Sequence, residues 1–195
     1  MTITLEQIKD LRDTTGAGVA DAKKALEESG GDLEGAIKKL RERGLKLSQT
    51  RAEKTAGEGW IGSYVHQTGK VGVLVEVRCE TDFVARSEPF QSLVRDLALH
   101  IAAANPTYLT KEHVPDSAVA QEAEIAKSQL LAQGKPDDMI EKIVSGKLEK
   151  WYTDVCLVSQ PFVKDETKTI SDLLNEARTA LGEKIEIARF VRFAI

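Results

Sequence analysis

The chain has 195 residues, of which 42% are hydrophobic and 30% charged, a composition typical of a globular protein with its own buried core. Its formal net charge of −4 argues against a protein that binds the phosphate backbone of nucleic acids, since such binding requires clustered lysines and arginines. The apolar runs are too short to span a membrane, so the composition predicts a soluble protein.

Three short amphipathic helices are predicted at the start of the chain. The stretch TLEQ at residues 4–7 fits a capping box, in which the Thr hydroxyl and the Gln side chain satisfy each other's backbone donors. A second helix carries apolar residues over Val19–Leu26, and Asp32 caps a third. Residues 44–59 are polar and basic, and they either prolong the third helix or form a linker. The apolar positions that the third helix is expected to bury are Leu33, Ala36, Ile37 and Leu40.

The hydrophobic period then changes to two, which predicts β-strands. Residues 60–65 alternate, residues 66–70 supply a hairpin turn, and the next strand has one apolar face made of Val71, Val73, Val75, Val77 and Cys79. Near the end of the chain a further alternating segment is interrupted by Arg189. Its apolar residues share one parity: Ile185, Ile187, Val191, Phe193 and Ile195. We expect this segment to complete a three-stranded antiparallel sheet with the 60–79 hairpin.

Further helices are predicted between the hairpin and the last strand. Ser87 caps a helix that ends at Asn105-Pro106 and has a full apolar stripe of Phe90, Leu93, Val94, Leu97 and Ile101. Residues 116–133 and 137–158 predict two helices that pair as an antiparallel hairpin. A last helix runs from Thr169 to Leu181 and is ended by Gly182.

The stretch CETDFVAR, residues 79–86, interrupts these patterns. The strand stops at Thr81-Asp82, and Phe83 falls in a short connection before the next helix. A large apolar ring in a connection either packs beneath its own helix or is available to a partner, and the residues alone leave both readings open. Loops held by a rigid scaffold commonly display functional groups, so this stretch is a candidate binding segment.

Motifs for catalysis or for metal binding are missing. Cys79 and Cys156 lack C-x-x-C spacing, which favours two reduced thiols in a cytosolic protein and leaves a single disulfide open. The three histidines are scattered, with no pair at ligand spacing. The GAG at residues 16–18 follows a helix and lacks Walker spacing. We therefore predict no metal, no cofactor and no catalytic residues.

Three stretches resemble one known family. CETDFVAR closely resembles the signature of bacterial elongation factor Ts, the nucleotide exchange factor of elongation factor Tu. The segment LRDTTGAGVADAKKALEESGGDLEGAIKKLRERG matches that family's N-terminal domain, and TISDLLNEARTALGEKIEIARFVRFAI is similar to its final helix and strand. At this length the chain resembles the short form of the family. Longer members carry a duplicated core half, which short members are expected to supply as a homodimer.

The resemblance implies an α+β fold and a function without covalent chemistry. Residues 1–50 would form a three-helix domain of ubiquitin-associated (UBA) type. Residues 51–195 would form a core and dimerisation domain, with the three-stranded sheet packed by helices and a helical hairpin. The expected function is guanine nucleotide exchange, promoting release of GDP and magnesium from elongation factor Tu during translation elongation. The expected location is the bacterial cytoplasm, and a processed organellar protein would have the same sequence features.

The resemblance also implies contact residues for the G domain of elongation factor Tu. Phe83 is expected to insert between two helices of that domain close to its magnesium and phosphate site, with Asp82 as a polar contact beside it. Thr81 and Val84 would shape the segment.

On the N-terminal domain, the implied contacts are Arg12, Val19, Ala20 and Lys23. The family commonly has a Met or Leu pair where this chain has Val19-Ala20, and often Cys where it has Ala22. These smaller side chains bear on the strength of the N-terminal contact and not on its location.

The residues leave two alternative functions open: a pure protein-interaction module, and an enzyme with an unrecognised site, whose melting temperature a small molecule would shift. Three-helix bundles of this type also occur in ubiquitin-binding and nascent-chain-binding proteins, so residues 1–45 alone fit a UBA-like protein-binding module without exchange activity. CETDFVAR in the core distinguishes the exchange factor from such a module. For the homodimer, Trp151-Tyr152 is a candidate contact, and the alternative for this pair is an ordinary core position.

Overall fold

The computed structural model describes residues 3–51 and 53–195, apart from the side chains of residues 45–50, 137 and 138. The chain divides into two compact units, residues 1–102 with 171–195 and residues 103–170. The predicted division near residue 50 falls within the first unit and stays a prediction. In chain order the elements are α1 (Leu5–Thr15), α2 (Val19–Glu28), α3 (Leu33–Thr50), β1 (Glu58–Val65), β2 (Val71–Cys79), α4 (Asp82–Ala85), α5 (Glu88–Ala104), α6 (Asp116–Ala132), α7 (Asp137–Val155), β3 (Pro161–Phe162), β4 (Asp165–Thr169), α8 (Ile170–Leu181) and β5 (Glu186–Ala194).

The N-terminal helices α1–α3 form a bundle around a small apolar core. The predicted capping box is present, because the Gln7 N–H donates to the Thr4 hydroxyl at 3.2 Å and the Thr4 N–H donates to the Gln7 side chain at 3.0 Å. The Asp32 carboxylate caps α3 by accepting the Gly35 N–H at 2.8 Å. The expectation that Leu33 is buried is wrong: it is the first residue of α3 and is 39% exposed, so the buried stripe starts one turn later. The core residues are Ile8, Leu11, Ala17, Ala22, Ala25, Leu26, Ala36 and Leu40.

The sheet has the order β1-β2-β5, with both pairs antiparallel, as predicted. The central strand β2 buries the predicted face at Val73, Val75, Val77 and Cys79. Helix α5 packs on this face so closely that a Cβ atom at Gly62 of β1 would lie 2.3 Å from a methyl group of Val94.

A β-bulge in β5 changes which of its residues face the core. Glu76 pairs with Arg189, whereas the next residue of β2, Val77, pairs with Ile187, so one extra residue is inserted. The apolar residues of this segment share one parity in the sequence, but beyond Ile187 they no longer face the same side of the sheet as Ile187. Val191 lies opposite Leu74, on the other side of the sheet from the buried valines. We call this second side the outer face, and define it by Ile61, Leu74, Glu76, Arg189, Val191 and Phe193.

The second unit contains the predicted helical hairpin. Helices α6 and α7 pack together and bury Ala126, Leu130 and Ile140. Helix α7 ends at Val155 rather than at residue 158, and a 3₁₀ turn follows at Leu157–Ser159. The short β3-β4 hairpin, which the sequence did not predict, comes next.

These elements confirm the predicted α+β fold class. A helical N-terminal region, consistent with a UBA-like domain, precedes a core with a three-stranded antiparallel sheet, helices and a helical hairpin. Within the described residues, no helix combines the length and the apolar character needed to cross a bilayer.

Candidate functional site

Within the CETDFVAR stretch, Asp82–Ala85 fold as one helical turn just after β2, where a short connection was predicted. Thr81 is extended, with φ −127° and ψ 153°, and it caps α4 because its hydroxyl accepts the Val84 N–H at 3.4 Å. The far end of the turn is closed by the Arg86 N–H, which donates to the Asp82 carbonyl at 3.0 Å. A compact turn therefore carries the candidate binding segment.

Phe83 projects from this turn into solvent. Its side chain is 83% exposed, whereas Ala85 on the same turn is 5% exposed and anchors the turn to the core. Of the two readings of the sequence, the ring packed beneath its own helix does not describe this structure. Full burial of a Phe side chain is worth about 1.5–3 kcal/mol, so the exposed ring is available for a partner to cover.

Asp82 lies beside Phe83 at the first position of α4. Its carboxylate forms an ion pair with Arg86 at 3.4 Å, and the side chains are 47% and 77% exposed respectively. Exposed pairs of this kind contribute little to stability, typically under about 1 kcal/mol. The Asp82 carboxylate can therefore exchange this partner for another at small cost.

The start of the turn is fastened by a residue far along the chain. The Glu183 carboxylate accepts the N–H groups of Glu80 at 3.0 Å and Thr81 at 3.1 Å, and it accepts the Thr81 hydroxyl at 2.6 Å. Glu183 follows α8, just after Gly182, whose φ of +70° ends that helix. We call the contacts of Glu183 with Glu80 and Thr81 the carboxylate clamp.

A reciprocal contact runs in the other direction. The Glu80 carboxylate accepts the Lys184 N–H at 2.6 Å and the Arg51 guanidinium at 2.6 Å. These contacts, first the Lys184 N–H and then Arg51, hold the pKa of Glu80 below its ordinary value. The end of β2 and the turn between α8 and β5 are thus joined by two carboxylates.

The predicted N-terminal contact residues are all exposed. Val19, Ala20 and Lys23 lie in the first turns of α2, and Val19 is 55% exposed. Lys23 pairs with Glu27 at 3.8 Å, and Arg12 lies in the last turn of α1. We call these four residues the N-terminal patch.

The N-terminal patch and the residues of the TDFV segment do not bond to each other in the described structure. Among the residues it describes, no hydrogen bond or ion pair joins the N-terminal patch to Thr81, Asp82, Phe83 or Val84. No group of three or more His, Cys, Asp or Glu residues suited to a metal ion occurs in that part of the chain.

Comparison with known proteins identifies the family. The sequence pattern of the family described as Elongation factor TS matches residues 2–195. The chain belongs to the elongation factor Ts family.

Relatives named Elongation factor Ts match over nearly their whole lengths. That of Geobacter metallireducens is 51% identical over 195 residues, which is 100% of this chain and 90% of the relative. That of Moorella thermoacetica is 49% identical over 193 residues, covering 99% and 95%, and that of Leptospira biflexa is 50% identical over 195 residues, covering 100% and 98%. The chain is thus similar in length to these elongation factor Ts relatives, and the family name indicates a role in translation elongation.

The sequence did not indicate Glu183 or Glu80 as parts of this candidate site. Glu183 lies 102 residues from Thr81, and neither residue belongs to an apolar period. The one local signal was Gly182, which marked the end of a helix without indicating what the next residue contacts.

The two cysteines of this family member are buried free thiols. Burial, reinforced by the nearby Glu183 charge, raises the pKa of Cys79 to about 11. Burial also raises the pKa of Cys156. Because both cysteines are free thiols, the disulfide that the sequence left open is not formed in this structure.

Proposed function

We propose that this protein is a guanine nucleotide exchange factor that binds elongation factor Tu with GDP and promotes release of GDP and magnesium during translation elongation in the cytoplasm. The observation that carries the proposal is Phe83, an apolar ring 83% exposed on a turn anchored to the core. The protein acts by binding and does no covalent chemistry.

The binding energy of Phe83 alone is too small for this role. An exchange factor must bind the nucleotide-free partner more tightly than the loaded one, and the preference is reciprocal by linkage. One buried Phe contributes about 1.5–3 kcal/mol, or about one to two decades of affinity. Phe83 therefore acts mainly by displacing the partner's magnesium-holding elements, while the rest of the interface supplies most of the affinity.

The neighbouring residues have separate roles in the proposal. Asp82 makes a polar contact beside the ring, while Thr81 and Val84 shape the turn. The N-terminal patch of Arg12, Val19, Ala20 and Lys23 contacts the G domain of elongation factor Tu as well, and its small side chains at Val19 and Ala20 keep this contact modest in area.

Release of a fluorescent GDP from elongation factor Tu in a stopped-flow instrument tests the function. We expect this protein to accelerate release strongly over elongation factor Tu alone. A complex that forms without any acceleration would contradict exchange and favour the alternative, a UBA-like protein-binding module.

We propose further that the protein works as a homodimer through the outer face of its sheet. Ile61, Leu74 and Phe193 on this face are 63%, 48% and 70% exposed. The Glu76 carboxylate accepts hydrogen bonds from Arg78 at 2.6 Å and Arg189 at 2.7 Å, so its charge is already paired within the sheet. These two contacts, that of Arg189 first, also hold the pKa of Glu76 below its ordinary value.

A second copy fits such a surface better than a charged partner does. An apolar face can meet its own copy across a two-fold axis, and Glu76 brings its arginine partners with it, so the carboxylate is not left unpaired. The other candidate, Trp151-Tyr152, lies on α7 of the second unit, where both side chains are partly buried and their ring centroids are 5.3 Å apart. Because these rings already pack on each other, we assign the dimer to the outer face.

A further inference from the structure

We propose that Glu183 is a positioning residue for nucleotide exchange, which holds the turn that presents Phe83. This inference rests on the proposed function and adds to it a residue outside the TDFV segment. Glu183 lies at the start of the α8–β5 turn and acts on Phe83 only through Glu80 and Thr81.

The clamp acts at the first residues of the turn. Among the residues that the structure describes, the Glu183 side chain forms its hydrogen bonds with Glu80 and Thr81, directly before α4. Hydrogen bonds to an ionised carboxylate are shorter and about twice as strong as neutral ones. Removing this side chain would leave two backbone N–H groups without their acceptor.

The clamp also fixes the hydroxyl of the helix cap. Since the Thr81 hydroxyl donates its proton to Glu183 at 2.6 Å, its lone pairs remain for the Val84 N–H at 3.4 Å. The long second bond indicates a weak cap on its own, because N–H···O bonds in proteins centre near about 2.9–3.0 Å. The orientation of the cap therefore depends on Glu183.

A turn this short has little stability of its own. Helix α4 has 4 residues, far below the length at which an isolated helix is stable in water, and Ala85 is its buried residue. Phe83 is 83% exposed, so packing within its own unit does not hold the ring in place. At the far end, the Ser87 hydroxyl donates to the Val84 carbonyl at 2.7 Å, and the Ser87 N–H donates to the same carbonyl at 3.0 Å. At the near end, the Cys79 Sγ donates to the Thr81 carbonyl at 3.2 Å, and the clamp adds three hydrogen bonds to a charged acceptor.

The clamp contributes by holding Phe83 in its binding orientation before the partner arrives. A side chain held in its binding orientation loses less conformational freedom when a partner covers it. An untethered turn would offer Phe83 to the partner in many orientations, few of which insert the ring. Loss of the clamp should therefore slow exchange through Phe83 and leave the N-terminal patch unaffected.

The test is a double-mutant cycle on the full chain, read by stopped-flow release of fluorescent GDP from elongation factor Tu. Glu183→Ala is measured with Phe83 present and in a Phe83→Ala background, and Glu186→Ala serves as the matched control. Glu186 pairs with Lys184 at 3.2 Å and touches neither Glu80 nor Thr81 in the described structure. With Phe83 present, we expect Glu183→Ala to slow exchange about tenfold, which corresponds to the free energy of about one hydrogen bond to a charged group. In the Phe83→Ala background, we expect Glu183→Ala to cause no further slowing.

A milder variant separates positioning from loss of fold. Glu183→Gln keeps a carbonyl oxygen for the two backbone N–H groups but no longer offers the Thr81 hydroxyl a carboxylate, so we expect an intermediate rate. Amide hydrogen exchange of Thr81 and Val84 in the free protein should speed up in Glu183→Ala and stay unchanged in Glu186→Ala.

Three outcomes would overturn the positioning role of Glu183, and a fourth would contradict the proposed function. Equal slowing by Glu183→Ala in both backgrounds would overturn the positioning role, because it would show a general structural effect. A wild-type rate in Glu183→Ala would overturn it too, as would unchanged amide protection. A wild-type protein that fails to accelerate GDP release contradicts the proposed function itself, and the amide measurement then still reports on the clamp.

Discussion

The Thr81 hydroxyl both donates to Glu183 and accepts from the Val84 N–H. Substitutions that remove either the hydroxyl or the methyl group can therefore test what each contributes. Thr81→Val keeps the shape of the side chain and removes the hydroxyl, whereas Thr81→Ser keeps the hydroxyl. We expect Thr81→Val to lower the free energy of unfolding by about 1–2 kcal/mol, since a bond to a charged acceptor and a cap are both lost.

Chemical denaturation of the two Thr81 variants measures this difference. Thr81→Ser should remain close to the wild type. A Thr81→Val variant as stable as the wild type, with Thr81→Ser destabilised, would mean that the methyl group, and not the hydroxyl, is what matters at this position.

The Cys79 thiol should be unreactive in the folded protein. It is fully buried, its Sγ donates to the Thr81 carbonyl at 3.2 Å, and its pKa is raised to about 11. Since the thiolate is the reactive form, we expect a thiol reagent at about pH 8 to label Cys79 only at the rate of unfolding. Rapid labelling of Cys79 in the native protein would contradict this burial.

The same pKa shift has a consequence for stability. An ordinary thiol has a pKa of 9.0, so between that value and about 11 the unfolded chain releases the Cys79 proton while the folded chain keeps it. The contribution of Cys79 to stability is therefore complete below about pH 9 and declines as the pH rises through this window. Denaturation of Cys79→Ala against the wild type across pH 8–11 measures it, and parallel curves would contradict the shift.

Among the elements, the contact of β1 with α5 depends on Gly62. A Cβ there would lie 2.3 Å from a Val94 methyl group and 3.3 Å from the Val94 carbonyl oxygen. We expect Gly62→Ala to lower the free energy of unfolding by about 1–3 kcal/mol, because either the helix or the strand must move.

Gly72 provides the matched control for Gly62, since it lies in the neighbouring strand and a Cβ there would meet nothing within 4 Å. Gly72→Ala should change the free energy of unfolding by less than about 1 kcal/mol. Similar destabilisation at both positions, measured by denaturant unfolding, would show that strand glycines matter here for reasons other than the approach of α5.

The elements that the sequence predicted well are those fixed by local chemistry. The capping box at Thr4 and the alternation of β2 depend on neighbouring residues, and the structure confirms both. The bulge in β5 was not predictable in this way, because an inserted residue leaves the apolar alternation intact while reversing which side it faces.

In the candidate site too, the sequence indicated the feature that depends on neighbouring residues and missed the one that depends on distant residues. The sequence indicated Phe83 as a ring in an unusual place, and the structure resolves its two readings in favour of exposure. The clamp could not be predicted, because Glu183 and Thr81 meet only after β2 and β5 have paired.

At the scale of the whole molecule, the outer face should control the oligomeric state. Phe193→Glu places a charge on the exposed apolar surface without touching the core, so we expect it to convert a dimer into a monomer. Leu5→Glu is the matched control, since Leu5 is also an exposed apolar residue, at 86%, but lies on α1. Light scattering coupled to size exclusion measures the mass. A wild-type monomer, or a Phe193→Glu dimer, would contradict the assignment.

We propose that Phe83 acts chiefly on the exchange step and not on affinity. The most direct test measures two losses for Phe83→Ala, the loss in the rate of GDP release from elongation factor Tu and the loss in affinity for the complex. Val19→Ala is the control, because Val19 is 55% exposed on the N-terminal patch and is expected to affect both quantities equally.

We expect Phe83→Ala to weaken the complex by no more than about one to two decades and to reduce the acceleration of GDP release well beyond that. Losses of equal size in the two quantities would contradict this role, since Phe83 would then be an ordinary contact.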